Sequence, residues 1–132
     1  MKHFILLLLL STALVTAKAQ SAYLLPSTAA DTLSNADTIV KNIDIPAGLS
    51  GVILQPVITR VSGTAAGKVV LSQSIDGTNF VSTDSVALTN VVTNTAFITK
   101  TAPNTLYYRI TFISSGTTVL WPRLYYLLRK EK

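Results

Sequence analysis

Lys68-Val69-Val70-Leu71-Ser72-Gln73-Ser74-Ile75-Asp76-Gly77-Thr78-Asn79-Phe80 decides the fold class. Apolar and polar residues alternate up to Ile75, with Val69, Leu71 and Ile75 on one face and Val70, Ser72 and Ser74 on the other. That is the two-residue period of a half-buried strand. Asp76-Gly77 then stops it, because glycine enters the positive-φ region at little cost and Asp and Asn side chains cap a turn. A β-branched return follows over residues 80–86. The stretch therefore reads as a β-hairpin, with Asp76, Gly77, Thr78 and Asn79 as its turn. A calcium loop would need second and third acidic ligands that Thr78 and Asn79 do not supply.

Working outward, the same rhythm continues. Residues 38–45 place Ile39, Ile43 and Ile45 on one face, with Lys41 the exception. Residues 52–61 form a second run, and Pro56 inside it forbids a ladder bond, which predicts an edge strand or a bulge. Residues 88–92 and 95–100 read as a further pair or a looped strand. Leu106, Tyr108, Ile110 and Phe112 alternate with Thr105, Tyr107, Arg109 and Thr111 in the clearest strand of the chain. Residues 119–128 are apolar on both faces, which suits a central strand, a covered strand or one that packs on a partner. Short strands punctuated by turns about every ten residues predict an antiparallel β-sandwich of about 7–8 strands, Ig-like or jelly-roll-like.

The N-terminus differs. Lys2 precedes the apolar run Phe4-Ile5-Leu6-Leu7-Leu8-Leu9-Leu10, and Ala17-Lys18-Ala19 supplies a small-x-small ending. These are the three parts of a secretory signal peptide, here a hydrophobic helix over residues 1–19, with Gln20 as the first mature residue. An uncleaved anchor is the alternative, but the apolar stretch falls short of the roughly 20 residues a spanning helix needs. The organisation expected is a signal over 1–19, an extended arm or loosely attached strand over 20–36, a sandwich over 37–128 and a basic tail over 129–132. The product is expected outside the cytoplasm: periplasmic, secreted or on the cell surface, with no membrane contact after cleavage. It has no cysteine, so packing and ladder hydrogen bonds hold it without disulfides.

Residue types limit the chemistry. The sole histidine, His3, lies in the leader. Residues 20–132 therefore lack the groups for Ser-His-Asp or Cys-His catalysis and for ordinary zinc, copper or iron sites. No catalytic residue, cofactor or metal is expected. Asp31, Asp37, Asp44, Asp76 and Asp84 each neighbour a turn or strand end and read as solvent-facing turn residues rather than a glycosidase pair. Lys68 with Ser72 or Ser74 would make a Ser/Lys dyad, but no motif surrounds them. Two of the five net positive charges, Lys2 and Lys18, sit in the leader. Arg129-Lys130-Glu131-Lys132 reads as a solubilising end, and the body lacks the interleaved basic and aromatic residues of a single-strand binder, so no nucleic-acid partner is expected. Trp121, Tyr125, Tyr126 and Tyr107 are the candidate partner-binding residues. Aromatics of this kind serve a core or subunit interface first, and a glycan platform second.

The run from Val61 to Phe80, with Ser62-Gly63-Thr64-x-x-Gly67, a strand, and Ser74-x-Asp76-Gly77-Thr78-Asn79-Phe80, resembles small β-sandwich proteins of phages and prophages of Bacteroidetes-type bacteria. Tyr107-Tyr108-Arg109 and Gly116-Thr117 extend the resemblance, which spans roughly residues 36–129. It implies a virion accessory (a capsid decoration, head-fibre or tail-attached module) acting by self-association or contact with other virion or envelope proteins. The Ser-x-Asp-Gly-Thr-Asn turn also occurs in bacterial carbohydrate-binding and fibronectin-like sandwiches. An exported carbohydrate- or surface-binding module is therefore the alternative.

Overall fold

The structure, a computed structural model, describes residues 21–25, 31–46, 48–101 and 105–130. The signal expected over 1–19 lies outside them. Among the described residues the chain forms ten strands: β1 (Ser21–Leu25), β2 (Leu33–Ser34), β3 (Thr38–Asp44), β4 (Leu49–Gly63), β5 (Gly67–Ser74), β6 (Val81–Ala87), β7 (Thr93–Thr95), β8 (Ile98–Thr101), β9 (Tyr107–Ser114) and β10 (Thr118–Lys130). One sheet runs β1-β10-β4-β7, with β2 also on β10 and β8 also on β4; the other runs β3-β9-β5-β6. Every ladder is antiparallel.

The order has a simple logic. β5 pairs with β6 around the Asp76-Gly77 turn, β4 with β7 and β8, β3 with β9, and β1 with β10. The chain is one long hairpin, with that turn at its tip, rolled so that β10 also pairs with β4 and β9 with β5. With β7 and β8 taken as one broken strand and the two-residue β2 set aside, this is the jelly-roll order, a double-sheet sandwich.

The core follows the two-residue period. β9 buries Tyr108, Ile110 and Phe112 and turns Tyr107, Arg109, Thr111 and Ile113 outward. Val69 and Leu71 of β5 lie opposite Phe112 and Ile110. From the other sheet, Val52, Leu54 and Ile58 of β4 and Leu120 and Leu124 of β10 complete the interior. Each such side chain contributes roughly 1.5–3 kcal/mol by leaving water, which is how a cysteine-free chain holds together.

Several expectations are corrected. In the described parts of the expected arm or loosely attached strand, β1 pairs with β10 along its length and Leu33 of β2 is fully buried. The basic tail begins inside β10, which continues to Lys130. Residues 88–92 form no strand, and β7 and β8 supply the pairing instead. Ile75 is 75% exposed because β5 ends at Ser74, and Leu106 lies just before β9 and is 46% exposed. Asp31 is buried rather than solvent-facing, with its carboxylate 2.7 Å from Lys41 Nζ. Its partner is the one polar residue on the apolar face of β3, so the ion pair accounts for the exception at Lys41.

Pro56 sits in a central strand, not at an edge. β8 pairs with Gly51 to Leu54 and β7 with Val57 to Thr59, so Pro56 falls at the break between them. Its carbonyl accepts from the Ala96 N–H at 3.4 Å. N–H and C=O of one strand residue point the same way, so the missing donor faces that break and β10 loses nothing. Pro122, two registers on, likewise points away from β4, at the gap between the β2 and β1 ladders.

Candidate binding faces

Each sheet has an outer face, and the candidate aromatics divide between these faces and the interior. On β10, Leu120, Pro122 and Leu124 point inward while Trp121, Arg123, Tyr125 and Leu127 point outward. The antiparallel register brings Trp121 beside Thr59, Arg123 beside Val57, Tyr125 beside Gln55 and Leu127 beside Ile53 of β4. Trp121 is 38% exposed. The Arg123 guanidinium lies over the indole, 4.0 Å from its centroid, in cation–π contact. β10 runs through Pro122-Arg123 unbroken.

Tyr126 lies apart from that row. As the neighbour of Tyr125 it takes the opposite face, where it is partly buried against the core. Tyr107 lies on the other sheet. A Cβ on Gly77 would stand 3.4 Å from the Tyr107 ring, so the ring packs beneath the turn. The four aromatics are not brought together: Trp121 and Tyr125 share a row, Tyr126 braces the core and Tyr107 supports the hairpin.

The turn itself is held by one carboxylate. Asp76 accepts from Ser74 Oγ at 2.7 Å, from the Thr78 and Asn79 backbone N–H groups at 2.9 and 2.8 Å, and from Asn79 Nδ2 at 2.7 Å. Gly77 takes a φ of +73° and donates its N–H to Ser74 Oγ at 3.0 Å. The Ser74 and Asn79 side chains, then the Asn79 and Thr78 amides, hold the Asp76 carboxyl far below the ordinary carboxylate range. The bonds that favour its charged form are supplied by the turn, not by a ligand.

The outer face of the β3-β9-β5-β6 sheet carries a depression of about 580 Å³ lined by residues of β5, β6 and β9. No local pattern signals it, because it forms only where distant β9 pairs beside the β5–β6 hairpin. The cue for the β10 row was present in Trp121-x-Arg123-x-Tyr125, three positions of one strand face. Beside the depression, Arg109, directly opposite Ser72, lies 3.7 Å over the Phe80 ring and donates to Asn42 Oδ1 at 3.1 Å. Ser74 is committed to Asp76, and Lys68 lies four strand positions from Ser72, roughly 13 Å along β5, so neither forms the dyad that the sequence allowed on paper. Among the described residues no group of three His, Cys, Asp or Glu side chains comes together to hold a metal ion, and no helix is long and apolar enough to cross a membrane.

No protein-family model matches the sequence, and no curated protein matches it. Solved structures do resemble its backbone. A family 16 carbohydrate-binding module matches at a TM-score of 0.47 and 11% identity, over 69% of this chain and 70% of that one. A structure titled for Bacillus endospore appendages that form disulfide-linked pili matches at a TM-score of 0.48 and 9% identity, over 86% and 88%. A family 6 carbohydrate-binding module matches at 0.40 and 13%, over 86% and 88%.

Proposed function

We propose that this chain is an exported, non-catalytic association module that works by protein–protein contact through the outer face of its β1-β10-β4-β7 sheet. The observation that carries this reading is the Trp121–Arg123–Tyr125 row on central strand β10, set among the half-exposed aliphatic side chains of Ile53, Val57 and Leu127. Trp, Tyr and Arg are the residues in which interface energy concentrates. The row favours a protein over a stacked sugar because Arg123 already lies over the Trp121 ring. A saccharide stacking on that face would have to displace a cation that a flat protein surface can accommodate.

The partner we favour is a second copy of the chain. In its narrowest form the reading is a virion accessory exported by the leader over residues 1–19, as the resemblance implies. Light scattering of the mature protein over a concentration series should show self-association. Trp121→Ala should weaken it at least tenfold, as expected for an interface anchor worth about 2 kcal/mol or more, while the far-ultraviolet circular dichroism spectrum stays unchanged. A strictly monomeric protein that retains no partner from envelope or virion fractions would sink the proposal. Mass spectrometry of the same fractions reads both the location and the N-terminus, which the export reading places at Gln20.

A further inference from the structure

We infer a second binding site, independent of the Trp121 face: the depression on the outer face of the β3-β9-β5-β6 sheet takes a saccharide bearing a carboxylate, a uronic-acid-type sugar. Its volume of about 580 Å³ falls in the range of small-molecule sites, and three features of its lining select the ligand.

The first is the hydroxyls. Ser72, Ser82, Thr83, Ser85 and Thr111 all line the depression. Each hydroxyl can both donate and accept, which suits a ring of vicinal hydroxyls that must do the same. They are carried by paired strands rather than loops. Ser72 is only 7% exposed, and its Oγ lies 3.3 Å from Ser82 Oγ across the β5–β6 ladder. The second feature is the apolar part of the lining, Val70 and Ile113, against which the C–H face of a sugar ring can rest. Among the described residues no aromatic lines the depression, so recognition is by hydrogen bonds and charge rather than stacking.

The third feature sets the charge. Asp84 is the carboxylate in the lining, and it is already engaged: Oδ1 accepts from the Ser85 N–H at 2.8 Å and Oδ2 lies 3.5 Å from Lys100 Nζ. Lys68 is exposed, lines the same depression, and has no ion pair among the described residues. The Arg109 guanidinium adds positive potential beside Ser72. Lys100 offsets Asp84, so Lys68 and the neighbouring Arg109 leave the surroundings of the depression positive, which a uronate would use and a neutral sugar would not.

The test is titration of the full-length mature protein with tri-galacturonate and, separately, with neutral cellotriose at low ionic strength, followed by two-dimensional amide NMR. Tri-galacturonate should shift the amides of β5, β6 and β9 around Ser72 and Ser82, with cellotriose at least tenfold weaker. Lys68→Gln should weaken tri-galacturonate binding about tenfold, and Thr111→Val should weaken it further. Trp121→Ala should leave it unchanged, so failure here and failure of the association reading can be told apart. Lys68 is exposed, so its replacement leaves the fold intact. Equal binding of the two sugars, indifference to Lys68→Gln, or binding of neither sugar overturns the inference.

Discussion

Asp76 shows how one side chain can hold a turn. Its four accepted hydrogen bonds all favour the charged form, so folding lowers its pKa from the ordinary carboxylate value of about 3.9. A group depressed in this way stabilises the native state above its unfolded pKa, and that contribution is lost as pH falls toward the lower folded value. Urea midpoints should therefore be level above about pH 5 and decline on acidification below about pH 4. Asp76→Asn keeps one carbonyl oxygen but can no longer accept from both Ser74 and Asn79 as an anion. It should lower the plateau at neutral pH and flatten the acid decline, and a variant whose pH profile parallels the parent would show that other carboxylates dominate. The residue is fully exposed at the turn, so the effect is modest in size and weakens with salt. Tyr107 and Gly77 complete the unit: the ring lies 3.4 Å from where a Cβ at position 77 would stand, and the φ of +73° there favours glycine.

At the scale of strands, the prolines show what alternation can and cannot reveal. The faces of β9 and β10 were legible, since residue parity alone assigns Tyr108, Ile110 and Phe112 inward and separates Tyr125 from Tyr126. The position of β4 in its sheet was not legible. A proline reports that one donor is missing, but not which side of the strand it would have faced, and that depends on where β8 ends and β7 begins. The same logic predicts a sharp positional effect. Pro56 and Leu124 form a non-hydrogen-bonded pair, so the next residue, Val57, points its amide at β10 opposite Arg123. Pro56→Val should cost less than about 1.5 kcal/mol, as for a near-isosteric core exchange. Adding Val57→Pro should cost about 3 kcal/mol or more, because it removes a ladder donor in the middle of a sheet. Chemical denaturation of the single and double variants measures both, and equal stabilities would contradict the register.

For the whole molecule, the sandwich was legible from turn spacing and the jelly-roll order was not, because strand adjacency across the sheets leaves no local trace. The depression between β5, β6 and β9 was hidden for the same reason, whereas the Trp121 row was visible because it belongs to one strand. That order also fixes how the chain must fold. The β5–β6 ladder closes around a short turn, from Gln73 opposite Val81 outward, whereas Ser21 must find Leu128 and Thr38 must find Ile113. Each more distant ladder incurs loop-closure entropy before its contacts reward it, so refolding should take milliseconds to seconds, as for other non-local β-topologies. The nested order suggests a direction as well: hairpin first, outer ladders later. Asp76→Asn, at the tip, should then slow folding and leave unfolding nearly unchanged. Leu124→Ala, on the last strand, should cost about 2–5 kcal/mol and appear mainly as faster unfolding. Stopped-flow chevrons of the two variants decide the matter. If the Leu124 variant instead slows folding in proportion to its loss of stability, the nucleus lies in the β10–β4 pair and the chain rolls up from its ends rather than from its turn.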